Sequence, residues 1–137
     1  MRNSRNFALA TIVGIVILLV HALLQTGCKV QSETIPLPSV EKVVFVPAGI
    51  YQAAKTVDPE LVAKIIDIYN NTTKKSPSSG LNTPDSQLII HLQAKTKIVI
   101  NNLDGVEFET HVVKEGAVAQ VFESRELEQI FRSLEDQ

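Results

Sequence analysis

Residues 7–24 form a run in which only Thr11, Gly14 and His21 interrupt apolar side chains, with Arg2 and Arg5 before it and no further charge until Lys29. The run is apolar all round and not along one stripe. Nothing else in the chain is large enough to surround it as a core helix. As a helix it would span about 27 Å, close to the ~30 Å hydrocarbon core of a bilayer. Positive charge ahead of the run predicts a cytoplasmic N-terminus, with everything downstream carried outward. His21 then reads as a neutral histidine near the outer interface, not as a proton-sensitive site.

Cys28 is the sole cysteine and stands where this run ends. Thr26, Gly27 and Cys28 resemble the bacterial lipobox, in which small residues precede a cysteine that carries lipid. Gln25 stands where leucine is usual. Two readings of residues 1–28 follow: a signal peptide cleaved before a lipidated Cys28, or a signal anchor that keeps residues 7–24 as a transmembrane helix. Both predict a membrane location with the domain on the extracytoplasmic side. A single cysteine excludes an intramolecular disulfide and any multi-cysteine zinc site.

The 109 residues after Cys28 suffice for one modest core. Setting aside Arg2 and Arg5 leaves 11 basic against 15 acidic side chains, a net charge of −4. No block of basic residues with interleaved aromatics occurs, so nucleic acid is not an expected partner. Residues 29–39 carry Pro36 and Pro38, which oppose regular structure, and read as a short linker. The globular domain is expected over residues 40–137.

Within it, Val40–Val46 is rich in β-branched residues and reads as a strand, with a weaker second strand over residues 50–57. Asp58 and Pro59 open a helix whose stripe is Leu61, Ile65, Ile68 and Tyr69, widened by Val62 and Ile66. Residues 76–86 hold two prolines, a glycine and four serines and read as a loop. Alternation then predicts strands over residues 87–93, 95–101 and 106–113, with a hairpin turn at Asp104 and Gly105. In the last of these, Val106, Phe108, Thr110 and Val112 oppose Glu107, Glu109 and His111. Residues 117–122 form a short final strand. Ser124 caps a closing helix with Leu127, Ile130, Phe131 and Leu134 on one stripe. The order ββαββββα predicts an α+β two-layer sandwich, an antiparallel sheet with two helices.

Candidate chemistry is sparse. His91 and His111 fall on neighbouring strands and could begin a metal site, but two histidines on solvent-facing positions lack a third ligand. Glu107 and Glu109 share a face about 7 Å apart. With His111 they would serve an envelope hydrolase only if they converged in a cleft. No serine nucleophile with a base, no glycine-rich phosphate loop and no cofactor motif is present. Catalysis is therefore not expected. The closing helix has an acidic polar face that a protein partner could use.

The layout resembles the small lipoproteins of Bacillus-type bacteria. The matching features are Thr26, Gly27 and Cys28, the strand Val40–Val46, the helix opening from Thr56 to Glu60, and the closing helix after Ser124. The resemblance is architectural. It implies a cell-envelope address and one compact α+β domain, without an activity. The expected function is a membrane-tethered, non-catalytic binding or interaction module. An accessory subunit of a membrane complex, packing through residues 7–24, is the other non-enzymatic expectation.

Overall fold

A computed structural model describes residues 34–76 and 85–137. Residues 7–24, Cys28 and most of the 76–86 loop lie outside the described residues. Among those described, six strands form one antiparallel sheet and two α-helices cover one of its faces. The strands are β1 (Val40–Val46), β2 (Lys55–Thr56), β3 (Gln87–Leu92), β4 (Lys97–Asp104), β5 (Glu107–Val112) and β6 (Gln120–Glu123). The helices are α1 (Pro59–Asn71) and α2 (Arg125–Glu135). The sheet order is β2-β1-β3-β4-β5-β6. The α+β expectation holds, and β3 to β6 form the consecutive meander that the alternation implied.

The second strand is far shorter than expected. Residues 50–57 yield only the two-residue β2, after two 3-10 turns at Pro47–Gly49 and Tyr51–Ala53. Ala48 sits at φ 38°, and this turn steers the chain away from a continuous hairpin. Ala53 and Ala54 offer no β-branched surface to hold a longer pairing. The opening is therefore filled by β3, which pairs with nearly the whole of β1, from Val46↔Gln87 to Val40↔Leu92.

Alternate side chains on each strand enter the core: Val43 and Phe45, Leu88 and Ile90, Ile98 and Ile100, Phe108, and Phe122. Helix α1 starts beside β1, where the Val57 N–H donates to the Val43 carbonyl at 2.9 Å. It ends near β6, where Lys75 and Val121 exchange two 2.8 Å hydrogen bonds. Helix α2 returns the other way. It starts where Ser124 N–H meets the Val106 carbonyl at 2.9 Å and ends where Lys55 Nζ donates to the Leu134 carbonyl. The Ser124 hydroxyl accepts from Leu127 N–H at 3.1 Å, so the predicted cap is formed. The Asp58 side chain makes no such bond in α1, and Pro59 carries that helix start. Phe131 of α2 contacts Phe45 edge-on at 5.7 Å and Phe108 at 5.2 Å, joining the second helix to both halves of the sheet.

The core also takes a residue from the proline-bearing segment. Ile35 is buried, so the chain joins the globule ahead of β1. Pro36 is extended, at φ −68° and ψ 124°, and Leu37–Ser39 then form a 3-10 turn that leads into β1.

Candidate functional site

The helices leave the other face of the sheet uncovered, and the strand register arranges that face as rows. At one end Lys42, His91 and Lys97 lie side by side on β1, β3 and β4. Val113 extends this row, its N–H donating to the Lys97 carbonyl at 2.7 Å. The next row is Val44, Ile89, Val99 and His111. The third is Val46, Gln87, Asn101, Glu109 and Val121, and here the face is partly covered, with Val46 and Asn101 buried. Last, Glu107 and Glu123 lie directly opposite each other on β5 and β6.

Val44, Ile89 and Val99 are partly buried and form an apolar band along the second row. Val113 is 53% exposed at one side, and Ile50 and Tyr51 are 56% and 65% exposed beyond the ends of β1 and β2. The Tyr51 hydroxyl donates to Gln87 Oε1 at 3.3 Å, which folds this rim against the third row. Asn101 is 7% exposed, and its Nδ2 donates to Glu109 Oε1 at 3.2 Å.

The positions predicted from alternation all face outward, but they do not converge. His91 and His111 stand on β3 and β5 with β4 between them, one row out of step. Two strand spacings and one row separate their backbones by about 12 Å. Among the described residues no group of three His, Cys, Asp or Glu side chains could hold a metal ion. Glu107, Glu109 and His111 follow one another along β5 at about 7 Å steps. Glu107 lines a 220 Å³ hollow shared with Thr72, Thr73, Lys75 and Glu123.

Electrostatics reflect this layout. Partial burial, reinforced by the neighbouring Lys42 and Lys97, holds the His91 imidazole below the usual histidine range, with Glu41 opposing. Away from this face, burial lowers the ammonium of Lys74. Its Nζ lies 3.9 Å from the Tyr69 ring centroid and donates to the Tyr69 carbonyl.

Alternation along β5 marks Glu107, Glu109 and His111 as outward. It does not reveal the rows, because these depend on which strand lies beside which. A second hollow of 620 Å³, lined by Asp85, Asn102, Glu128, Arg132, Glu135 and Asp136, arises only where α2 crosses the sheet. Its acids are partly engaged: Glu128 pairs with Arg132 at 2.6 Å, and Glu135 accepts from the Ser86 hydroxyl at 2.9 Å. Comparison of the chain with family models, with curated proteins and with solved structures finds no match.

Proposed function

We propose that this chain is a membrane-tethered extracytoplasmic interaction module, held to the cell envelope by residues 1–28 and working through its open sheet face without catalysis. The supporting observation is that face. It carries a partly buried apolar band, charged groups at its two ends, and outward histidines and glutamates spread over a sheet instead of gathered in a cleft. Contiguous apolar surface rimmed by polar groups is characteristic of association surfaces. The tether reading draws on the sequence of residues 7–24, Arg2, Arg5 and Cys28. Among the described residues no helix is long and apolar enough to cross a membrane, and residues 7–24 lie outside the described set.

Fractionation of cells expressing the full chain tests the tether. The protein is expected in the membrane pellet and to require detergent for release. Intact-mass measurement then separates a chain beginning at a lipid-modified Cys28 from a full-length anchor. Recovery as a detergent-free cytosolic protein would overturn the tether. The interaction role is tested with the soluble 29–137 fragment immobilised against detergent-solubilised envelope proteins, or against itself. Failure to associate with either would overturn that role.

A further inference from the structure

We infer that the open sheet face binds a second copy of this chain, face to face about a twofold axis. The inference rests on the interaction-module reading and names its partner.

Charge is divided between the two ends of this face. Lys42 and Lys97 are exposed at one end of the face, on β1 and β4. Glu107 and Glu123 are exposed at the other, on β5 and β6. Three row spacings separate the two ends, about 20 Å. That is more than twice the ~8 Å screening length at physiological salt, so the two ends scarcely neutralise each other within one copy. Among the described residues neither pair takes part in an ion pair. Glu41 near the basic end and Lys75 near the acidic end soften the contrast without reversing it.

An isologous contact must be self-complementary. An axis lying between two such faces, at right angles to the line from basic to acidic end, sets each end over its opposite. The band of Val44, Ile89 and Val99 then lies against the third row of its copy, beside the partly buried Gln87 and Glu109. An anionic lipid surface would attract one end and repel the other, so it fits this pattern less well.

Area sets the strength. Six strands at ~4.8 Å spacing and about 20 Å of strand length give a projected face near 500 Å². This is below the ~800 Å² per partner of a standard interface, so the dimer is expected to be weak in solution. Tethering both copies in one membrane would raise their effective concentration. Burial of the apolar band supplies attraction, and the charged ends select the orientation.

The soluble 29–137 fragment can be used because its core is built within residues 35–134. Sedimentation equilibrium is run on this fragment, on a Lys42→Glu/Lys97→Glu variant and on a Glu107→Lys/Glu123→Lys variant. All four substituted side chains are exposed, and circular dichroism verifies folding. The wild-type mass is expected to rise toward twice the monomer value as concentration approaches about 1 mM. Each variant alone should stay monomeric, and an equimolar mixture of the two should dimerise. A wild-type fragment monomeric throughout would overturn the inference, and if it still captured an envelope protein the broader interaction role would stand. A wild-type dimer indifferent to both charge reversals would overturn it as well, by assigning association to another surface.

Discussion

Asn70 holds Ile35 by both of its backbone polar groups: the Ile35 N–H donates to Asn70 Oδ1 at 2.8 Å, and Asn70 Nδ2 donates to the Ile35 carbonyl at 2.8 Å. One side-chain amide thus does for an isolated residue what a neighbouring strand does in a sheet. It pins the chain ahead of β1 to α1 and lets the Ile35 side chain enter the core. Asn70→Ala removes both bonds, and the domain should lose about 2 kcal/mol in chemical denaturation. Asn70→Asp keeps the acceptor but not the donor and should retain part of that stability.

Phe131 is the residue whose loss should be felt across the whole core. It is 1% exposed and touches Phe45 on β1 and Phe108 on β5. Phe131→Ala leaves a cavity between α2 and the sheet and should cost about 3 to 5 kcal/mol. Thermal unfolding of the soluble fragment would measure it. Phe131→Leu, which refills part of the volume, should cost less.

Thr110 offers the opposite sign. It is 1% exposed on the core side of β5, and its hydroxyl has no hydrogen-bond partner among the described residues. Valine has nearly the same shape without the oxygen. Thr110→Val should therefore stabilise the domain by about 1 kcal/mol, read as a higher denaturation midpoint at unchanged slope.

His91 makes stability depend on pH in the mildly acidic range. Desolvation, then Lys42 and Lys97, lower its folded-state pKa below the ordinary value of 6.5. On acidification the unfolded chain therefore takes up the proton first. Stability should fall as pH drops from about 6.5 toward the folded-state value, and level off below it as far as this residue is concerned. His91→Gln should remove that component of the slope, and Lys42→Gln should reduce it. Denaturation midpoints measured at a series of pH values would check both. An unchanged slope in His91→Gln would assign the dependence to other groups.

The amino-acid sequence by itself determined which side of each element is apolar. Leu127, Ile130, Phe131 and Leu134 were one stripe before any fold was known, and all four are buried. Phe108 and Thr110 were set against Glu107, Glu109 and His111, and the sheet keeps that division. Ser124 was identifiable as a cap because capping involves neighbours three residues apart. These features are local, so periodicity and residue type suffice to read them. Tertiary structure decided the rest. Local pattern offered a weaker second strand over residues 50–57, yet β1 gave most of its length to β3, more than forty residues away in the chain. Ile35 entered the core because Asn70 stood ready to receive its backbone. The rows of the open face exist only once β1, β3, β4 and β5 lie side by side. Strand pairing is decided by long-range burial of the shared core, and a period of two says which way a side chain points but not which side chain stands next to it.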